Sequence, residues 1–189
     1  DAGSVTLAGK SVVRGTIGLA LQRPEDQLFL SSVLEDVEFG PVNLGASREE
    51  ARHRALRSLK LLKVPEDLWP RSPFQLSGGE KRRVAIAGVI AMSPAALVLD
   101  EPTDGLDASC RAILINAVRD LADQGQPVIV VSHDVGEWMY AADDVVLLEG
   151  GRIRWRGTPS GLVSACEVLE HWGVGVPLEL AMLGELTRE

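Results

Sequence analysis

At 189 residues, with 46% hydrophobic and 24% charged side chains, the chain is long and apolar enough to bury a sizeable core and is not a disordered segment. Nineteen Lys and Arg against 27 Asp and Glu leave a net charge of −8, which argues against a general nucleic-acid binder. Two cysteines, Cys110 and Cys166, lie far apart with no second Cys or His at metal-ligand spacing, and read as free thiols of a reducing compartment.

Taken in chain order, β-rich runs at residues 5–8 and 17–21 come first. A helix follows over 48–63, where Ala51, Ala55, Leu59 and Leu62 fall on one face. Further helical patterns cover 78–92, 108–124 and 135–141, and apolar strands cover 97–99, 128–131 and 145–148. Gly150-Gly151 joins the last of these to 152–155 as a hairpin. The basic triplet Lys81-Arg82-Arg83 and the apolar run after it imitate a membrane anchor. Ser93-Pro94 breaks that run, and Asp100-Glu101 ends it short of the ~20 residues a spanning helix needs. With no signal peptide or spanning segment read, the expected location is cytoplasmic. The alternation gives an α/β fold class, and the fully apolar run at 128–131 predicts a parallel sheet covered on both faces. From Thr158-Pro159 to Glu189 only two short helical patterns occur, joined by a turn at 173–177. Residues 159–189 are therefore expected to form a small α-helical C-terminal extension to a domain spanning 1–158.

Two short motifs bear on chemistry. Leu97-Val98-Leu99-Asp100-Glu101 is an apolar strand ending in two carboxylates. In an open parallel sheet, ligands bind beyond the carboxyl ends of the strands. Asp100 could there hold Mg2+, and Glu101 could polarise an attacking water. Alone, the pair reads equally well as the solvated end of a core strand. Leu76-Ser77-Gly78-Gly79-Glu80 supplies two glycines that admit close approach to a phosphate, followed by a helix whose N-terminus would face the anion. Its plainer reading is a capping box, Ser77 with Glu80. The two motifs in series are far more specific than either alone.

With these residues in place, the chain resembles the ATPase domain of ABC proteins. Ser77–Glu80 is similar to the signature motif, Leu97–Glu101 to the Walker B strand, and Gly105-Leu106-Asp107 to the D-loop. Ser132-His133-Asp134 resembles the switch-histidine segment, although a lone His at a strand end is ordinarily incidental. Leu21-Gln22-Arg23-Pro24-Glu25-Asp26-Gln27-Leu28-Phe29 resembles the Q-loop, with Gln22 in the functional position and Gln27 as a loop residue. A narrower resemblance is to the ATPases of energy-coupling-factor (ECF) importers of vitamins and transition-metal ions such as cobalt and nickel. It rests on residues 24–29, on Glu35-Asp-Val-Glu-Phe-Gly-Pro-Val-Asn-Leu-Gly45 and on 169–177.

The resemblance implies a P-loop NTPase core with a mainly parallel sheet and a helical subdomain inserted at about 33–93. It implies ATP and Mg2+ as cofactors, with Glu101 and His133 catalytic and Asp100 and Gln22 toward the metal. Ser77, Gly78, Gly79 and Asp107 would serve the nucleotide of a second ABC ATPase subunit, identical or paralogous, arranged head to tail. An integral-membrane transporter subunit would touch the region near Gln22, placing the chain peripherally on the inner face of the membrane, with no nucleic-acid partner. The phosphate loop G-x-x-x-x-G-K-[ST] (Walker A) should precede these motifs. Gly9-Lys10-Ser11 does not supply it, because Ser4 stands five places before Gly9 and no helix pattern follows Lys10. Residues 5–10 instead resemble a hairpin downstream of that loop. The sequence is thus expected to begin after the loop, and these residues alone to be inactive. Two rivals remain at this point. One is a catalytically silent interaction module of the same fold. The other is a chromosome-maintenance ATPase, which the 54 residues between Gln22 and Ser77 disfavour because they hold no sustained heptads.

Overall fold

The stripe at Ala51, Ala55, Leu59 and Leu62 is fully buried, each residue at 0% exposure, and it organises a three-helix layer. A computed structural model describes residues 4–13 and 15–164; the later part of the expected C-terminal extension, Cys166 and the segment 169–177 lie outside the described residues. Two compact units divide the chain, Asp1–Val131 and Ser132–Glu189.

In the first unit a small antiparallel hairpin, β1 (Thr6–Leu7) and β2 (Lys10–Ser11), opens the chain. Lys10 therefore sits in a strand and not at the start of a helix. Strand β3 (Ile17–Ala20) leads through a 3-10 turn at Pro24–Gln27 to helix α1 (Val33–Asn43). Helix α1 is a long element, among the described residues, that the helical patterns of the sequence did not include. Pro41 joins Val33 and Val37 on the buried face, and Gly40 lies so close to Met92 that a Cβ would stand 2.7 Å from its Cγ. Helix α2 (Arg48–Leu61) begins at Ser47, whose hydroxyl accepts the Glu50 N–H at 3.2 Å. Helix α3 (Gly78–Ala91) packs on both α1 and α2. It is apolar almost all round from Val84 onward, as a helix enclosed by neighbours must be.

Strand β4 (Ala96–Asp100) runs parallel between β3 and β5 (Val128–Val131), and helix α4 (Ala108–Asp123) connects β4 to β5. The registers Ala20↔Leu99 and Asp100↔Val131 bring all three carboxyl ends to one edge. Gly18 is required where β3 passes beneath α3, because a Cβ there would lie 2.8 Å from Pro94 and 2.9 Å from Val89. One expectation needs correction. The run at 128–131 is not covered on both faces, since Ile129 and Val131 are 58% and 49% exposed. Strand β5 lies at the edge of the three-stranded sheet, and its residues alternate between a half-buried and an open side.

The second unit contains a short helix α5 (Val135–Trp138), the antiparallel pair β6 (Val145–Glu149) and β7 (Arg152–Gly157), and helix α6 (Pro159–Ser164). Met139 and Leu162 form its buried centre, with Val135, Leu147 and Trp155 against them. The turn at Gly150-Gly151, both at positive φ, is the hairpin expected from the sequence.

Candidate functional site

Asp100 ends β4, and Glu101 follows it into the turn. Both side chains are half-buried. Glu101 has φ +46°, a left-handed conformation rare for a residue with a Cβ, and its N–H donates to the Val131 carbonyl at 2.9 Å. The chain then turns tightly: the Asp104 and Leu106 N–H groups donate to the carbonyls of Glu101 and Thr103, at 3.3 and 3.1 Å. Gly105 takes φ +70°. Gln22 stands two residues past Ala20 on the neighbouring strand and is exposed. Asp100, Glu101 and Gln22 thus share one edge of the sheet. His133 comes two residues after Val131 and is exposed, but it belongs to the second unit. Asp134 beside it caps α5, accepting the Glu137 N–H at 3.2 Å.

The capping box read from Ser77 and Glu80 is formed. The Ser77 N–H and hydroxyl both donate to Glu80 Oε2 at 2.8 Å, and Ser77 Oγ accepts the Glu80 N–H at 3.4 Å. The bond from the Ser77 N–H, then that from its hydroxyl, hold the Glu80 carboxyl below its ordinary pKa. The two glycines after Ser77 differ. A Cβ on Gly79 would meet Cys110 Sγ at 3.2 Å, a tight contact that Cys110 on α4 would have to yield to. Among the described residues, a Cβ on Gly78 would meet nothing within 4 Å. Gly78 is therefore open to approach from outside the chain, at a helix start whose first N–H groups have no intrahelical acceptors. Asp107 is exposed and caps α4. Its Oδ1 accepts the Cys110 N–H and the Ser109 hydroxyl, both at 2.8 Å, and these bonds lower its carboxyl pKa.

Three residues that the motif reading did not single out hold this region together. Arg82, on α3, is 7% exposed. Its guanidinium grips Glu25 with two bonds of 3.1 and 3.0 Å, donates to the Gln22 carbonyl at 3.1 Å, and donates to the Asp104 carbonyl. Burial raises the Glu25 carboxyl, but the bonds and charge of Arg82 outweigh it and leave the group below its ordinary pKa. Asp36 accepts the N–H groups of Phe29 and Leu30 at 3.2 and 3.0 Å and so fixes the far end of the same loop. Its burial nevertheless raises its pKa. The signal in the sequence was a pair of arginines inside an otherwise apolar helix. Burying such cations is costly unless their donors are matched, as those of Arg82 are, whereas the Nε of Arg83 is buried without a partner among the described residues.

Hard oxygen donors at this edge suit Mg2+. Among the described residues no group of three or more His, Cys, Asp or Glu could hold a metal ion. Were Mg2+ to bind at this edge, the Asp100 carboxylate and the Gln22 amide oxygen would hold it, with phosphate and water in the other positions.

Comparison with known proteins agrees with this geometry. Residues 1–104 match the family described as ABC transporter. The energy-coupling factor transporter ATP-binding protein EcfA2 of Streptococcus agalactiae is 44% identical over 165 residues, covering 87% of this chain and 59% of that protein. EcfA2 of Caldanaerobacter subterraneus is 40% identical over 177 residues, covering 93% and 62%. The chain thus spans about three fifths of these curated relatives. The structure of cbiO1 from Clostridium perfringens, part of the ABC transporter complex cbiONQ, superposes with a TM-score of 0.77 at 32% identity, covering all of this chain and 77% of that one. A dimeric ATP-binding cassette, MJ0796, bound to ADP and Pi, gives 0.67 at 30% identity over 76% of this chain and 63% of its own. On sequence and fold together, the chain belongs to the ABC transporter family.

Proposed function

We propose that this chain is the ATP-hydrolysing part of a subunit that powers an ECF-type membrane importer, with a vitamin or a transition-metal ion as cargo. The observation that carries the reading is the shared edge of Asp100, Glu101 and Gln22 at the carboxyl ends of β3 and β4. Glu101 would accept a proton from, or orient, the water that attacks the terminal phosphate of ATP. Asp100 and Gln22 would hold Mg2+, which when bound neutralises charge developing on the phosphate oxygens. His133 would donate to the same phosphate.

Ser77, Gly78 and Gly79 would present the N-terminus of α3 to a nucleotide held mainly by a second ATPase subunit. The Ser77 hydroxyl would exchange its bond to Glu80 for one to phosphate, while the Ser77 N–H stays on Glu80. Asp107 would reach the same interface. Closing on ATP and reopening after hydrolysis would drive an integral-membrane partner near Gln22. Attachment through that partner would be peripheral, on the inner face of the membrane; no helix among the described residues is long and apolar enough to cross it. Residues 1–158 would form the ATPase domain with its helical insert at about 33–93, and 159–189 the extension. Against a chromosome-maintenance role, the segment between Gln22 and Ser77 folds into two short helices, α1 of 11 residues and α2 of 14, and not a coiled coil.

The test is Glu101→Gln in the intact protein with its partners. ATP turnover should fall by about 10²–10⁴-fold while ATP binding persists. Undiminished turnover would remove Glu101 from the role, and an intact wild-type complex that binds but never hydrolyses ATP would favour the silent module. Uptake of labelled metal ion or vitamin into vesicles carrying the complex would identify the cargo.

A further inference from the structure

We propose that Arg82 is a positioning residue for hydrolysis, a clasp that fixes the backbone of Gln22 relative to that of Asp104 and ties both to α3. The proposal rests on the assignment of Gln22 and Asp107 made above. Three features of the structure carry it. First, the partners of the guanidinium come from separate stretches of chain: Glu25 in the turn after β3, the Gln22 carbonyl before it, and the Asp104 carbonyl in the turn between Glu101 and Asp107. Second, two of those partners are backbone oxygens, so the clasp sets where the main chain runs and not merely where a side chain rests. Third, Arg82 is buried at 7% exposure, and the Glu25 side chain with which it pairs is 19% exposed, so water competes little for these bonds. A guanidinium is a planar fork with five fixed donors, and it holds such a set of acceptors at set spacing. A lysine ammonium would have to choose among them.

Helix α3 begins at Ser77, and Arg82 lies on its second turn. A tilt of α3 on meeting the nucleotide of the partner subunit would therefore shift Gln22, at this chain's own nucleotide, together with the turn leading to Asp107. The clasp is the mechanical link between the two composite sites. Arg83, the next residue, is an internal control. It is equally buried, but its Nη1 donates to the carbonyls of Leu62 and Lys63, at 3.2 and 2.9 Å, where it closes the end of α2. Its hydrogen bonds serve the helical layer and reach neither Gln22 nor Asp104, although its charge also helps to hold the Glu80 carboxyl below its ordinary pKa.

The experiment compares ATP hydrolysis by the intact protein with its partner subunits for Arg82→Met, Arg82→Lys, Arg83→Met, Gln22→Ala and the Arg82→Met/Gln22→Ala double variant, with each rate divided by the folded fraction. Arg82→Met should lower kcat about ten- to a hundredfold with KM for ATP moved less than about threefold. Arg82→Lys should not restore the rate, and the double variant should be scarcely slower than Gln22→Ala, because both losses pass through one loop. Arg83→Met should lower the melting temperature and leave kcat intact. If Arg82→Met fails to fold, Arg82→Lys, which keeps the charge beside Glu25 but loses the fork, serves in its place and should show the same lack of additivity with Gln22→Ala. Full kcat in folded Arg82→Met, or losses that multiply in the double variant, would overturn the clasp. Full activity in Gln22→Ala would overturn the site assignment beneath it, which is a different result from a slow Gln22→Ala beside a fast Arg82→Met.

Discussion

The Glu101 N–H bonds to the carbonyl of Val131, and that bond holds Glu101 in a left-handed conformation, φ +46°, where the strand pairing ends. Such a backbone costs a residue with a Cβ about 1–2 kcal/mol, and glycine almost nothing. Glu101→Gly should therefore raise the stability of the fold by about 1 kcal/mol, measured by urea or thermal unfolding. It should abolish ATP turnover in the intact protein. A destabilised Glu101→Gly would show that what the Glu101 side chain contributes outweighs the strain relieved.

Gly18 offers a test of the opposite sign. A methyl group there would press into Pro94 and Val89 at 2.8 and 2.9 Å, on a short strand with little freedom to shift. Gly18→Ala should cost about 1–3 kcal/mol. Because β3 carries Gln22, ATP turnover should fall with it. Denaturant midpoints at constant slope would read the loss.

Ser77 has two roles to separate. As a cap alone, its replacement costs about 0.5–2 kcal/mol of stability. Ser77→Arg should in addition place a bulky cation at the helix start and block ATP-dependent dimerisation, while leaving ATP binding by the monomer near normal. Sedimentation of the intact protein with ATP, in a Glu101→Gln background, reads this directly. Dimers forming as readily as in the parent would leave Ser77 a cap and nothing more.

Acid should loosen both caps. Glu80 and Asp107 have folded pKa values below their ordinary 4.5 and 3.8, so the stability they contribute is fully present above those values. It is lost as pH falls through them toward the folded-state values. Asp36, raised by burial, works in the opposite sense. Stability should decline below about pH 4.5, and Glu80→Gln should flatten that decline. An unchanged slope in Glu80→Gln would show that the capping box does not titrate with folding.

The parts of the fold that were legible in the sequence are those where one local signal decides. Ala51, Ala55, Leu59 and Leu62 sit at helical spacing on a helix with a polar far side, and the run at 128–131 is too apolar and β-branched for anything but a strand. Helix α1 was not legible, because the burial of Pro41 and the contact of Gly40 with Met92 arise only once α3 is in place. The edge character of β5 likewise depends on which strands assemble beside it. Of the candidate site, the place of Asp100 and Glu101 was legible because they end an apolar strand, and that of Gln22 only through the resemblance of residues 21–29 to the Q-loop. Arg82, Glu25 and Asp36 were not, since what matters about them is pairing across long stretches of chain, 57 residues in the case of Arg82 and Glu25.

The adjacent glycines 78 and 79 answer to different masters, and suppressor genetics would expose the difference. The tight contact of Gly79 is with Cys110 Sγ, inside the same polypeptide, so Gly79→Ala is curable in cis by Cys110→Ala. Among the described residues Gly78 has no such neighbour to shrink. On the head-to-tail arrangement proposed above, whatever limits residue 78 would lie in the opposing subunit, and revertants of Gly78→Ala should map there or return the glycine itself.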